Sequence, residues 1–280
     1  MSPLIRTATA ADVATLIDWA AAEGWNPGTG DADAFFRTDP GGFFVAEVAG
    51  RLAAGLSLVR YGETYAFLGL YIAAPEFRGK GIGYTLWQEA IAGAGNRIIG
   101  LDGVVAQQDN YRKSGFAYAH ANIRYGGTPT VPAAASADLV EVQRLHVPMI
   151  VDYDRALNPA RRETFLAEWL KDSGGRQSVA LLRAGKITGY GTVRRCHEGS
   201  KIGPLFSDTE TGADLLFRRL VSLAEGGPVF LDVPEPNAAA KALTARYNLK
   251  PVFETARMYR GIDPDLPLDR IYGITTFELG

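Results

Sequence analysis

The alternation of apolar and polar positions along the first half of the chain predicts short strands separated by amphipathic helices. Apolar residues recur at helical spacing between Thr9 and Ala20, and Asp12 stands three residues after Thr9, as in a helix N-cap. Ala49-Gly50-Arg51 between two apolar runs indicates a hairpin. The predicted elements are, in chain order, a strand at 4–6, a helix from 9 to about 24, a short helix at 32–37, strands at 43–48, 52–60 and 67–72, a helix at 84–94, a strand at 98–101 and a short helix before Gly115.

The segment 23–28, after the first helix, is rich in turn-forming residues but also contains Trp25. This combination suits a loop that faces a substrate as well as it suits a capped helix end. Both interpretations stay open.

The second half repeats this plan after a linker at 128–136 that is rich in Gly, Pro and Ala. Its predicted elements are a hairpin of strands 179–183 and 187–194, a strand at 202–205, a helix at 213–223, a strand at 229–233 and a helix at 237–247. Gly185 follows Gly50, and Leu249 follows Phe116, at nearly the same offset. A constant offset indicates a duplicated chain, so we predict domains at 1–127 and 137–280.

A glycine-rich stretch, Arg78-Gly79-Lys80-Gly81-Ile82-Gly83, precedes the helix predicted at 84–94. Glycines at alternate positions leave the helix's first backbone amides and its positive dipole end open to an anion. Arg78 and Lys80 can add positive charge at the rim. The stretch therefore predicts a diphosphate-binding loop.

Composition and net charge exclude several classes of binding partner and site. The 280 residues suit two domains, and 47% hydrophobic with 21% charged residues is typical of a globular protein. The net charge of −2 gives no electrostatic sign of nucleic acid or of an anionic membrane, so a small-molecule partner is expected. One cysteine, Cys196, and three histidines predict neither a disulfide nor a metal site. With no signal peptide or membrane span predicted, we expect a reduced, cytoplasmic, soluble protein.

The first half resembles the GNAT superfamily of acyl-CoA-dependent N-acetyltransferases. The stretch from Arg78 to Gly83 satisfies that family's diphosphate motif, and Tyr111-Arg112-Lys113-Ser114-Gly115-Phe116 matches its later Tyr-x-x-x-Gly-Phe signature. A phosphate-loop NTPase is excluded because its Gly-x-x-x-x-Gly-Lys-Ser/Thr motif is missing, and a Rossmann site is excluded because the loop follows a hairpin sheet. The segments 257–261 and 275–280 resemble the subgroup with a divergent second GNAT domain.

The resemblance implies an α/β (α+β) fold of two tandem GNAT domains, each with a mixed, mostly antiparallel twisted sheet flanked by helices. It also implies N-acetyl transfer from acetyl-CoA to the amine of a small acceptor by direct attack, without a metal. The residues expected to bind the cofactor lie on the strand before the loop and on the loop itself: Tyr71, Ile72, Ala73, Arg78, Gly79, Lys80, Gly81, Ile82, Gly83 and Tyr84.

Three residues are candidates for proton transfer. By the resemblance, Tyr111 is the general acid for the departing CoA thiolate, because a phenol stays protonated at neutral pH. The position where some relatives carry a glutamate base is Ile99 here. Glu23 and Asp102 are therefore the nearest candidates for the base, and each has an ordinary surface or turn role as its alternative.

The second half lacks the glycine loop and the tyrosine that the first half has. Its loop is replaced by Ser207-Asp208-Thr209-Glu210-Thr211-Gly212, whose two carboxylates would repel a diphosphate, and Thr244 occupies the position that matches Tyr111. We therefore expect one acyl-CoA per chain. The polar segments 152–154, 161–162 and 194–195 could line a cleft that sets acceptor specificity, or could be solvated surface. A CoA-dependent sensor without turnover is the alternative function.

Overall fold

The computed structural model describes residues 2–173, 175–224 and 226–280. In this part of the chain there are thirteen β-strands and eight α-helices. The strands are β1 (Leu4–Thr7), β2 (Phe43–Val48), β3 (Arg51–Tyr61), β4 (Tyr65–Ala73), β5 (Ile98–Val104), β6 (Ala117–Gly127), β7 (Leu139–Glu141), β8 (Arg176–Arg183), β9 (Lys186–Arg195), β10 (Ser200–Ser207), β11 (Val229–Pro234), β12 (Lys250–Arg260) and β13 (Ile271–Gly273). The helices are α1 (Ala10–Ala22), α2 (Asp31–Thr38), α3 (Ile82–Gly93), α4 (Gln108–Lys113), α5 (Val147–Asp154), α6 (Glu163–Trp169), α7 (Glu210–Leu223) and α8 (Ala238–Arg246).

All of these strands belong to one mixed sheet. Its order is β1-β2-β3-β4-β5-β12-β6-β11-β10-β9-β8-β7, with β13 paired to β10 beside this path. Among the described strand pairs, only β4 with β5 and β10 with β11 are parallel. The predicted fold class, a mixed and mostly antiparallel sheet flanked by helices, is confirmed.

The last long strand of each half, β6 in the first and β12 in the second, crosses into the sheet of the other half. β12 pairs with β5 from Thr255↔Val104 to Arg260↔Ile99, and β6 pairs with β11 from Val229↔Gly127 to Pro234↔Asn122. This exchange is not predictable from the sequence repeat, which placed each strand in its own half. The boundaries at 127 and 137 stay a prediction about the repeat along the chain, and in space each half is completed by a strand of the other.

The two halves use the same turn in their first hairpin. Ala49 and Gly50 have φ angles of 51° and 74°, and Ala184 and Gly185 have φ angles of 47° and 75°. Two successive residues with positive φ make the type I′ turn, whose twist matches that of the flanking strands. Both hairpins were predicted, and their matching turns agree with a duplicated chain.

Local sequence signals explain several helix ends. At α1, the Thr9 side chain accepts a hydrogen bond from the Asp12 backbone N–H, and the Asp12 carboxylate accepts one from the Thr9 N–H at 2.7 Å. This reciprocal capping box is the predicted one. At α8, Asn237 Oδ1 accepts from the Ala240 N–H at 2.9 Å and so caps the helix.

Helices cover both faces of the sheet, and one face carries a core that is common to both halves. That core buries Leu16 and Phe35 of the first half together with Ile150 and Trp169 of the second half. The rings of Phe35 and Trp169 stack at 6.1 Å between centroids. On the other face, α3 packs on the first-half strands, and α7 and α8 pack on the second-half strands. The shared sheet and shared core join the halves.

Candidate active site

A cavity of about 560 Å³ opens where β4 and β5 diverge. The two strands pair from Tyr65↔Ile98 only as far as Leu68↔Leu101, so the end of β4 has no neighbour on that side among the described strands. The cavity runs along this free edge, past the glycine loop, and reaches Tyr111 and Glu278. Residues of both halves therefore line one site.

A bulge turns the backbone of β4 at the point of divergence. Ser57 of β3 pairs with Gly69 and Gly55 pairs with Ile72, so two residues of β4 stand opposite one of β3. One of the two, Leu70, has a φ angle of 48°. A bulge re-aims main-chain groups beside a site, and here it lies in the wall of the cavity.

The glycine loop has the conformation that the sequence predicts for an anion-binding loop. Gly79 and Gly81 have φ angles of 73° and 76°, in the left-handed region where a side chain would be strained. A Cβ added at either would have no atom within 4 Å, so the space above the loop is open. The Thr85 N–H makes a helical bond to the Gly81 carbonyl at 3.0 Å, which leaves the preceding amides of α3 free for an anion.

The predicted cofactor residues divide into two groups. Eight of the ten line the cavity, and the exceptions are Lys80 and Ile82. The Lys80 ammonium lies over the ring of Phe77, 5.4 Å from its centroid, whereas Ile82 is buried in the core beneath α3. Arg78 donates a hydrogen bond to the Ala73 carbonyl at 3.0 Å and forms an ion pair with Glu23. Arg78 thereby ties the loop to the end of β4.

The rings of Tyr71 and Tyr111 both pack against the ring of Trp87. The Trp87 ring lies 5.0 Å from the Tyr71 ring and stacks on the Tyr111 ring at 5.4 Å. The Tyr111 ring fills the space where a Cβ at Gly103 would be, with 2.1 Å to the nearest ring carbon. Burial raises the pKa of Tyr111 to about 12, helped by the nearby Tyr71. The phenol therefore carries its proton at neutral pH and borders the cavity.

The contacts of Asp102 favour a structural role over the predicted role of a base. Its side chain is fully buried, and Arg257 of β12 donates to both carboxylate oxygens, at 2.8 and 2.7 Å. Asn122 of β6 donates to the same carboxylate at 2.7 Å. A carboxylate that is held by a bidentate arginine and an amide is poorly placed to take a proton from a substrate.

Glu23 stands at the C-terminal end of α1 and lines the cavity beside the glycine loop. Its ion pair with Arg78 places it at the cofactor end of the site. The neighbouring Trp25 also lines the cavity, which favours the interpretation of segment 23–28 as a substrate-facing loop.

Four further lining residues come from the second half and were not among the predicted site residues: Phe253, Thr255, Phe277 and Glu278. The first two lie on the exchanged strand β12, and the other two lie on the segment after β13. Thr255 Oγ1 and Glu278 Oε2 are buried, and neither has a hydrogen-bond partner among the described residues. The resemblance of 275–280 to the divergent subgroup was the available sequence signal, but it does not show where that segment lies.

The place in the second half that corresponds to the cavity is filled by the chain itself. β10 and β11 pair from Ser200↔Val229 to Ile202↔Leu231, and beyond that point β13 pairs with β10, Leu205 opposite Gly273. The helix after β10 is capped by Thr209, and Asp208 binds Arg270. The prediction that the second half does not bind acyl-CoA in the usual way agrees with this filling.

The polar segments proposed for an acceptor cleft lie elsewhere. Asp154 and Arg162 form a buried ion pair at 2.7 Å, and Asp152 pairs with Arg161 at the surface. Arg194 is buried and donates to Asp31 at 3.2 Å. None of these described residues lines the cavity, so the proposed cleft is not built from them.

Comparison with known proteins gives both halves the same family. A profile described as the acetyltransferase (GNAT) family matches residues 11–116, and one described as an acetyltransferase (GNAT) domain matches residues 150–273. The holothin acyltransferase of Pseudoalteromonas sp. (strain SANK 73390) is 30% identical over 264 residues, which cover 94% of this chain and 90% of the relative. The chain belongs to the GNAT acyltransferases. The predicted family and its tandem arrangement are confirmed.

Solved structures agree with this assignment at the level of the fold. A proposed acetyltransferase from Pyrococcus horikoshii matches with a TM-score of 0.85 and 20% identity, over 100% of this chain and 96% of that one. A tandem GNAT protein from the clavulanic acid biosynthesis pathway matches with a TM-score of 0.64 and 18% identity, over 94% and 100%. Membership of the GNAT acyltransferases, shown by the family match and the 30% identical relative, makes the chain an enzyme of a family that uses acyl-CoA.

Within residues 2–173, 175–224 and 226–280, no group of three or more His, Cys, Asp or Glu side chains could hold a metal ion. In the same ranges no helix is long and apolar enough to cross a membrane.

Proposed function

We propose that this GNAT acyltransferase moves an acetyl group from acetyl-CoA to the amine of a small acceptor, which attacks the thioester directly. The proposal rests on one observation above the others: a single cavity connects the open glycine loop, the free edge of β4 and the buried Tyr111. A donor arm and an acceptor need such a continuous space to meet.

The residues of the first half fit an acyl-CoA. The free amides around Gly79 and Gly81 would hold its diphosphate. The unpaired main chain of β4, from Tyr71 to Ala73, would pair with the pantetheine arm as an added strand does. A β4 amide beside the bulge would polarise the thioester carbonyl and stabilise the developing oxyanion.

Tyr111 would donate its proton to the departing thiolate. A phenol whose pKa lies near 12 is protonated at neutral pH, and its proton neutralises a leaving group that would otherwise depart as an anion. Glu23, in its ion pair with Arg78, would hold the loop in place.

The acceptor would enter beside the aromatic side chains of Trp25, Phe253 and Phe277. The rings of Phe253 and Phe277 lie 6.1 Å apart, and the Arg124 guanidinium stacks 4.8 Å from the Phe277 ring centroid. Rigid aromatic walls favour an acceptor with a flat apolar body. The named substrate of the relative, holothin, therefore belongs among the acceptors to be tested.

The test measures free thiol released from acetyl-CoA in the presence of polyamines, aminoglycosides, amino acids, peptides, arylalkylamines and holothin, with mass spectrometry of the product. We expect acceptor-dependent thiol release and an acetylated amine. Saturable CoA binding without thiol release for any acceptor would instead favour a sensor without turnover. Parallel assays with longer acyl-CoA donors decide whether acetyl is the preferred group.

Calorimetric titration with CoA tests the number of sites. We expect one site per chain, because β13 fills the equivalent place in the second half. Two equivalent sites would contradict this interpretation.

A further inference from the structure

Glu278 is a buried carboxylate in the acceptor end of the cavity, and its chemistry is unused by the function proposed so far. Only 3% of the residue is exposed, and its Oε2 atom has no hydrogen-bond partner among the described residues. Burying an anionic oxygen without a donor is costly. Such an atom, in the wall of a substrate cavity, is suited to a donor that the substrate brings.

The position of Glu278 is fixed by its backbone. A Cβ at Gly69 would lie 2.0 Å from the Glu278 carbonyl oxygen, so the segment rests directly on β4 beside the bulge. The Ser57 hydroxyl donates to the same carbonyl at 3.4 Å, and the Tyr61 hydroxyl donates to the Leu279 carbonyl at 2.9 Å. Glu278 is therefore held against the strand whose free edge would bind the donor.

The surroundings of Glu278 are positively charged. Arg124 of β6, Arg194 of β9 and Lys201 of β10 all interact with its charge, which acts to raise their pKa values. Two of these cations have carboxylate partners on other elements, Asp232 of β11 for Arg124 and Asp31 of α2 for Arg194.

The third cation, Lys201, is buried. Its ammonium donates to the Trp25 carbonyl at 2.9 Å. Burial lowers its pKa to about 8, although Glu278 opposes that shift. Lys201 is thus a buried cation whose charge interacts with that of Glu278.

We propose that Glu278 is the general base that receives the proton of the acceptor amine. As the amine nitrogen bonds to the thioester carbonyl carbon, its proton passes to the Glu278 carboxylate, and the C–S bond then breaks while Tyr111 protonates the thiolate. The enzyme is left with a protonated Glu278 and a Tyr111 phenolate, and exchange with solvent restores both. This assignment rests on the proposed function, and it places base and acid on different halves of the duplicated chain.

The experiment compares wild type with Glu278→Gln, using the panel amine that wild type acetylates fastest. We expect kcat to fall about 10²- to 10⁴-fold, as for loss of general base catalysis, with the Kd for CoA unchanged. The pH profile of kcat should lose the inflection and plateau that a titrating base gives to its ascending limb, so that the residual rate keeps rising with pH. Glu254→Gln is the matched control, because Glu254 is exposed on β12 outside the cavity lining. We expect it to retain wild-type rates.

A second variant separates a base from a structural role. Glu278→Ala leaves room for a small carboxylate, so added formate should restore part of its rate without changing its melting temperature. Wild-type kcat and pH profile in Glu278→Gln, or the absence of formate rescue in a folded Glu278→Ala, would overturn the assignment. If wild type itself transfers to no amine, the proposed function fails first, and the assignment falls with it.

Discussion

Replacing Gly69 by alanine should show how much the site depends on the segment that carries Glu278. The added Cβ would meet the Glu278 carbonyl oxygen at 2.0 Å and the carbonyl carbon at 2.8 Å. Contacts under 3.0 Å are not sustained by a real Cβ, and both sides here are backbone. Either β4 or the segment must therefore move, by about 1 Å, a misplacement large enough to cost about 100-fold in rate.

The same contact sets the expected loss of stability. Overpacking of this kind costs about 1–3 kcal/mol, which corresponds to a fall in melting temperature on the order of 5 °C for a chain of this size. Differential scanning calorimetry would give the stability, and thiol release would give the rate. We expect CoA affinity to change less than the rate, because Gly69 lies outside both the glycine loop and residues 71–73 of β4.

Gly93→Ala is the matched control for this experiment. Gly93 ends α3, has no positive φ angle, and a Cβ there would have no atom within 4 Å. Alanine in a helix is more stable than glycine by about 0.5–1 kcal/mol, so the melting temperature should stay or rise slightly. Wild-type stability and rate in Gly69→Ala would refute the close packing of the segment on β4.

Three further predictions concern single side chains. Tyr111→Phe should lower kcat by about 100-fold or more without changing the Kd for CoA, as measured by calorimetry. Asp102→Asn should lower the free energy of unfolding by about 3–5 kcal/mol, because it leaves the Arg257 guanidinium buried without its partner; urea denaturation measures this. Burial lowers the pKa of His120 to about 4, below the ordinary value of 6.5, so between these values the unfolded chain binds the proton and the folded chain does not. Stability from this histidine is therefore present above pH 6.5 and declines as the pH falls towards 4, by about 3 kcal/mol at the acid end; urea denaturation from pH 4 to 7 checks it, with His120→Gln giving a flatter profile.

Each of these has a matched control in the chain. Tyr118→Phe alters a half-exposed tyrosine on β6 and should leave kcat unchanged; equal losses in both tyrosine variants would speak against Tyr111 as the acid. If Asp102→Asn keeps the wild-type free energy of unfolding but loses its activity, Asp102 would again be a candidate for the general base. His197→Gln alters an exposed histidine, and an identical flattening there would contradict the assignment to His120.

Features that depend on neighbouring residues were predictable from the sequence. Residues that are close together in the sequence determine each of three such features: the capping box at Thr9, the two Ala-Gly hairpin turns and the glycine loop. The cofactor loop could be located for the same reason, since its glycines and the helix that follows them are contiguous.

Features that depend on distant pairing were not predictable. β6 and β12 are each eleven residues long. No residue pattern in either strand indicates which half of the sheet it completes. The pairing of Asp102 with Arg257 spans that exchange, so the carboxylate looked like a free base in the sequence. Glu278 lies after the last strand, where no periodicity indicates its position, and only the fold brings it to β4.

The exchanged strands also impose an order on how the enzyme is made. Domains generally fold from the N-terminus during synthesis, yet β5 gains its neighbour β12 only after the ribosome has passed residue 260, and Glu278 arrives later still. Until then the first half has its glycine loop and Tyr111 but lacks one strand and one wall of its cavity. A nascent chain could thus bind a donor before it can engage an acceptor, and transfer would begin only after residue 278 has been synthesised and has packed on β4.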